Sequence, residues 1–179
     1  YFFALLSLTE KPSNFEYENL EERNKFLAGP LNAAFEKPLS AAEKHHASII
    51  PEGSLIGKTE KETKKIIQIY VNGMKKGEYS KLLFAIENYA RVINGLFTQY
   101  KPHDDRFPEK ERKDALYSSF FILKNLIIML SPFAPATMDR LRKALNLPPE
   151  IYAIRELAKP IEAGQKVGAK EQFFPAARE

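Results

Sequence analysis

The chain lacks cysteine and tryptophan altogether, and its 179 residues include only three histidines. Without cysteine there are no disulfides and no thiolate metal site, a composition that fits a reducing, cytoplasmic compartment. A metal would have to rest on His45, His46 and His103 with carboxylates. Adjacent His45 and His46 point to different sides of a helix and cannot share an ion as an i, i+4 pair does, so no metal is expected. Neither a Gly-rich phosphate loop nor a Gly-x-Ser-x-Gly elbow occurs, so no catalytic residue or bound cofactor is assigned and a free-standing enzyme is not expected. Long apolar runs are missing too. The opening YFFALLSL stops after eight residues at Thr9-Glu10-Lys11, too short for a membrane span and without the flanks of a signal peptide. There is no initiating methionine, and the chain is expected to begin in the middle of something larger.

What is present is ordinary for a soluble domain: 44% hydrophobic and 28% charged residues, in a length suited to one domain with a small appendage. Net charge is +4, and it is uneven. Residues 1–22 carry five glutamates against Lys11, whereas residues 58–81 carry seven lysines against three glutamates. This asymmetry suggests a polyanion partner, against the blander alternative of solvated lysine faces.

Helical periodicity dominates, and neither internal repeats nor low-complexity tracts interrupt it. A first helix is predicted from Phe15 to about Ala47, kinked or split by Gly29-Pro30 and Pro38. IIPEGSLIGK (49–58) reads as a loop. Thr59 and Glu62 have capping-box spacing, which predicts a helix start there, with Ile66, Ile67, Ile69, Tyr70 and Met74 facing inward until Gly77. A helix to about Gln99 follows closely enough to make an antiparallel hairpin or a sharp corner. Pro108 suits the first turn of the next helix, whose FFILKNLIIML (120–130) marks the most buried element. A short amphipathic helix through Met138, Leu141, Leu145 and Leu147, a piece at 151–157 and an extended tail from Lys159 complete the chain. The expectation is an all-α bundle of about five main helices with a C-terminal strap.

Three stretches carry a further resemblance: YFFALLS with NFEYENLEERNKFLAGPLNAAFEK; Asn94 and Pro102 before LSPFAP (130–135); and IEAGQKVGAKEQFFP (161–175). In order and spacing they resemble the C-terminal, anticodon-binding half of methionyl-tRNA synthetases. That family shows an Arg-Tyr-Tyr-Leu-Leu lead-in, an Asn, a Pro-Trp pair, a Leu-Ser/Ala-Pro-Phe-x-Pro close and a Gly-His-x-Ile-Gly tail. The resemblance implies residues 1–12 as the end of a connection to an upstream catalytic domain, 13–158 as the anticodon-binding bundle, and 159–179 as the tail. Its implied partner is the CAU anticodon stem-loop of tRNA(Met). ATP and methionine would bind the catalytic domain, whose His-Ile-Gly-His-like and Lys-Met-Ser-Lys-Ser-like motifs do not occur here.

The resemblance also implies site residues, and here the chain departs from the family. Recognition there uses an asparagine and an arginine four apart on the first long helix, plus the tryptophan of the Pro-Trp pair. The corresponding positions are Ala33, Lys37 and His103. Lys37 keeps the charge without the planar fork; Ala33 offers no side-chain donor, though Asn32 beside it is an alternative; His103 stacks with a smaller ring than indole. Tyr100 is the nearest other platform, with Lys101 next to it. Asn94 is expected to hydrogen-bond the loop carrying Pro102 and His103, and Lys61, Lys64 and Lys65 to form a solvated face. Phe173-Phe174 is expected to dock toward the catalytic domain, or to be mobile without it. The apolar residues near Tyr1 are a candidate surface for dimerisation. Two rivals stand: a helical protein-interaction module that has lost tRNA reading, and the homologous bundle of another class I synthetase, against which Gly-Gln-Lys-Val-Gly argues.

Overall fold

The computed structural model describes residues 21 and 24–174; the stretch at Tyr1 and its suggested dimer surface lie outside them. Residues 24–26 are helical, and Leu27–Leu31 form a π-helical turn around Pro30 that leads into helix α1 (Asn32–His45). Pro30 has no N–H for the ladder, and the turn widens so that the Asn32 N–H reaches the Leu27 carbonyl. The expected break is therefore a π turn. Pro38 does not interrupt α1: it is buried within the helix, which continues through it to His45. Left-handed Ala47 and Ser48 (φ 50° and 59°) end the segment.

The loop at 49–56 lies on helix α4 (Glu109–Leu130), where Asp114 Oδ1 accepts the Ser54 N–H at 2.7 Å and Ser118 Oγ accepts the Ile56 N–H at 3.0 Å. Helix α2 (Gly57–Lys76) thereby starts two residues before the predicted cap. Ile56 is the N-cap, with no side-chain capping bond. Thr59 is instead fully buried in the first turn, and its hydroxyl has no partner. Tertiary packing set this helix start, and the capping-box expectation fails.

Gly77, at φ 72°, takes the left-handed cap that glycine fills without strain, and helix α3 (Tyr79–Tyr100) turns back along α2. The hairpin is antiparallel. Gly73 faces Leu82 near the turn, where an added Cβ would sit 3.3 Å from the leucine Cβ, and Thr63 Oγ1 lies 2.7 Å from the Tyr89 hydroxyl farther along. Pro108 is the N-cap of α4, extended at ψ 128°, rather than a residue of its first turn.

From Ala115 to Leu130 α4 is buried at every position but Tyr117. Helix α5 (Pro135–Ala144) packs beside it, and 3-10 turns at Pro149–Tyr152 and Ile154–Glu156 bring the strap across. Three residues of α4 hold the strap, the first being Tyr117, whose hydroxyl donates to the Ile161 carbonyl at 3.0 Å. Lys124, 2% exposed, donates from Nζ to the carbonyls of Glu156 and Lys159, and Asn125 Oδ1 accepts the Ala158 N–H. The strap then pairs with the first loop through an Ile49–Lys166 bridge and passes the end of α5, where Gly168 N–H meets the Ala144 carbonyl. Phe173 finishes fully buried against Phe35. The bundle itself supplies the groove for the tail, which corrects the expectation that the groove needs another domain.

Two measurements check this packing. A Cβ at Gly53 would lie 2.9 Å from the Lys113 carbonyl and 2.9 Å from the Tyr117 Cβ, whereas one at Gly95 meets nothing within 4 Å. In urea unfolding, Gly53→Ala is expected to cost about 1–3 kcal/mol, and Gly95→Ala to stabilise by about 1 kcal/mol through helix propensity. The second concerns pH. Burial pushes Lys124 down from 10.5 to about 8, so above pH 8 the unfolded chain holds a proton that the folded chain has lost, and stability rises with pH. Burial pushes Tyr89 up from 10.0 to about 12, so stability falls over that later window. The urea midpoint should rise from pH 8 to about 10 and then fall, with Lys124→Met removing the rise and Tyr89→Phe lessening the fall.

Candidate nucleic-acid interface

The connection from α3 to α4 is built around one carboxylate. The Asp104 N–H donates to the Lys101 carbonyl at 2.9 Å, and the Asp104 carbonyl accepts the Phe107 N–H at 3.0 Å. Its side chain takes the Arg106 backbone N–H at 3.1 Å and the guanidinium through Nε at 2.8 Å and Nη2 at 2.7 Å. These hydrogen bonds hold the Asp104 carboxyl well below the usual carboxylate range. Asp105 is taken by the Arg112 guanidinium and lies 3.3 Å from His45 Nδ1 at the end of α1. Both acids of the His-Asp-Asp run are thus engaged with cations of the protein.

Pro102 is buried and anchors the turn, leaving His103 exposed at its corner. The imidazole lies almost parallel to the Phe97 ring, at 5° with centroids 6.0 Å apart. Phe97 is only 5% exposed, so the imidazole stacks at an offset against a buried ring while His103 stays exposed. Lys101 caps α3 in the left-handed conformation (φ 41°, ψ 59°), which lysine adopts at a cost. Its ammonium lies 4.8 Å from the centre of the Phe107 ring.

Helix α1 forms the facing wall. Lys37, Ser40, Ala41 and Lys44 share one helical face by their three- and four-residue spacing. With Phe97, Thr98, Lys101 and His103 they line a cleft of ≈ 530 Å³. Three of those residues are lysines and none is acidic. Lys37 Nζ donates to Asn94 Oδ1 at 2.8 Å, and Asn94 Nδ2 reaches the Pro30 carbonyl at 3.4 Å. Asn94 therefore ties α3 to the π turn and to Lys37; the expected bond to the Pro102–His103 loop is replaced by these two. A flat ring pair flanked by ammonium groups suits a planar base carried on a phosphate backbone.

The fold thus gathers Lys37, Lys101 and His103 into one cleft, with Asn94 at its edge through Lys37. Ala33 is half-buried one turn before Lys37 and is not among the described lining residues. Asn32 faces elsewhere: it is 4% exposed and bound to the tail. Tyr100 lines a separate groove with Lys58, Arg91 and Gln99. Sequence reasoning missed Lys44, Phe97, Thr98 and the Asp104–Arg106 brace; the i, i+7 spacing of Lys37 and Lys44 was the available signal. Lys61, Lys64 and Lys65 are exposed, and Lys64 pairs with Glu60 at 2.6 Å. Among the described residues no cluster of histidine and carboxylate is placed to hold a metal. No helix there is long and apolar enough to cross a membrane.

No protein-family model matches the chain. The methionine–tRNA ligase of Bacillus cereus (strain 03BB102) is 22% identical to it, over 99% of this chain and 35% of that protein. The methionine–tRNA ligase of Bacillus anthracis (strain CDC 684 / NRRL 3495) is 22% identical over the same shares. This chain is a relative of the methionine–tRNA ligases. It spans about a third of the length of these curated relatives. The free methionyl-tRNA synthetase of Mycobacterium tuberculosis has the same fold, with a TM-score of 0.85 over 92% of this chain and 35% of that one, at 15% identity. The same synthetase in complex with methionyl-adenylate gives 0.84 over 97% and 37%, at 14% identity.

The lysines of this cleft are testable as a charge set. Lys37→Ala, Lys44→Ala and Lys101→Ala should each weaken binding of a single-stranded oligoribonucleotide and lower the salt slope by about 0.7, read by fluorescence titration. Lys101→Gly should lower affinity likewise while raising stability by about 1 kcal/mol, because glycine relieves the left-handed cap.

Proposed function

We propose that the chain is the C-terminal anticodon-binding part of a methionine–tRNA ligase, and that the cleft between α1 and the α3–α4 connection reads the CAU anticodon of tRNA(Met). The reading is carried by one observation: an exposed imidazole fixed on Phe97 and the ammonium groups of Lys37, Lys44 and Lys101 line one cleft with no carboxylate among its described wall. Methionine activation with ATP belongs to a catalytic domain of the same protein, outside this chain. The chain's contribution is affinity and selectivity for the tRNA.

Splayed anticodon bases expose faces for stacking and edges for hydrogen bonding. His103 supplies the platform, and its small ring places the stacking gain toward the lower part of about 1–3 kcal/mol per base. Lys37 reaches the cleft with three donors in place of a guanidinium fork, and Asn94 lies beside it as an amide partner. The remaining lysines hold phosphate. A second reading, a helical protein-interaction module, is favoured by Ala33, which offers no edge donor where the family has an asparagine.

The test is a titration with an RNA hairpin carrying the CAU loop and with one whose loop is permuted, each at two salt concentrations. Anticodon reading predicts tighter binding of CAU, with the preference reduced by His103→Ala and restored or raised by His103→Trp. Equal binding of both loops, weakening together with salt, would overturn anticodon reading in favour of charge attraction alone.

A further inference from the structure

The tail ends on α1 rather than on a remote surface. Asn32 Oδ1 accepts the N–H groups of Phe173 at 2.8 Å and Phe174 at 3.0 Å, while Asn32 Nδ2 donates to Glu36 Oε1 at 2.6 Å. The Phe173 ring is fully buried and meets Phe35 edge-on at 5.9 Å, with Phe174 5.9 Å from Phe35 as well. Arg140 of α5 donates to the Phe173 carbonyl and lies 5.9 Å from the centre of its ring. Phe35 precedes Lys37 by two residues, about 200° around the helix, so the tail grips α1 on the side away from the cleft.

We propose that the docked tail is a positioning element for the cleft, in which Asn32 and Phe173 hold α1 at the rotation that turns Lys37 toward His103. Asn32 stands where the π turn passes into the α-helix. A π turn carries one more residue than an α turn, and its loss would rotate α1 by about 100° against the chain before it. Pro30 prevents the ladder from closing in the ordinary way, and Asn32 fixes the exit of the turn by accepting two amides of the tail. Asn94 completes the grip from α3, through Pro30 on one side and Lys37 on the other. Release of the tail leaves buried Asn32 without its acceptor role and Phe35 without its edge contact, and α1 loses the constraint that aims Lys37. Asn32 and Phe173 act through α1 and do not touch the RNA.

The inference deepens the proposed function, and its first readout is independent of RNA. The whole chain is compared with Asn32→Leu, which keeps the branched shape and removes the acceptor, and with the milder Phe173→Leu. Hydrogen exchange should show the amides of residues 33–41 exchanging about tenfold faster in both variants while those of α4 stay protected. In the second readout, discrimination between the CAU loop and the permuted loop should fall about fivefold, the CAU loop losing more affinity than the permuted one. Asn32→Asp combined with Glu36→Gln keeps an acceptor for both tail amides and should restore both readouts. Unchanged α1 exchange, in variants whose Phe173 and Phe174 amides have become free to exchange, would overturn the proposal; so would unchanged discrimination. If the unaltered chain shows no discrimination, anticodon reading fails, and the exchange readout alone decides the role of the tail.

Discussion

Helix α4 is hydrophobic around most of its circumference from Ala115 to Leu130, so it cannot lie at a surface. Every other described helix and the strap are arranged to cover it. A helix so enclosed must also satisfy its own polar groups, since an unpaired buried donor costs more than the bond would return. Lys124 and Asn125 meet that requirement by bonding the backbone at Glu156, Ala158 and Lys159. The route of the strap follows from there, across α4 and down to α1. The strap is a covering element, fastened by side chains of the helix that it covers.

The candidate interface depends on this arrangement at two removes. Its floor is Phe97, held in the core by α4, and its lip is a turn whose acidic residues are bound by Arg106 and Arg112. Neutralising those acids within the turn is what leaves the lysines as the net charge of the cleft. Its facing wall is α1, gripped from one side by Asn94 and from the other by the tail. The lysines are separately weak attractors, as exposed cations are; the proposed pull on a polyanion rests on their convergence on one ring platform.

Three residues singled out by the resemblance have distinct settings in the fold. His103 has a smaller face than an indole, and Phe97 lies parallel beneath it. Asn32, the asparagine beside Ala33, is buried and committed to the tail, so it serves the placement of α1. Ala33, one residue on, takes over no polar task that the structure shows.

The sequence by itself determined the helices. The apolar spacing on α2, α3 and α5, the left-handed glycine at position 77 and the enclosed run at 120–130 are local or periodic signals, and each reappears in the fold. The family resemblance pointed to Ala33, Lys37 and His103, of which Lys37 and His103 line the cleft. The tertiary structure alone decided the rest. Thr59 has the spacing of a cap but is buried, because the hydroxyl of Ser118, far off in sequence, sets the helix start. Pro38, expected to kink or split the first helix, is buried within a helix that continues through it. Lys44 joined the site, and Asn32 and Tyr100 left it, because helix rotation assigns side chains to faces. That rotation is set at the π turn by contacts with α3 and the tail. Such contacts join residues up to 142 positions apart, and no local pattern records them.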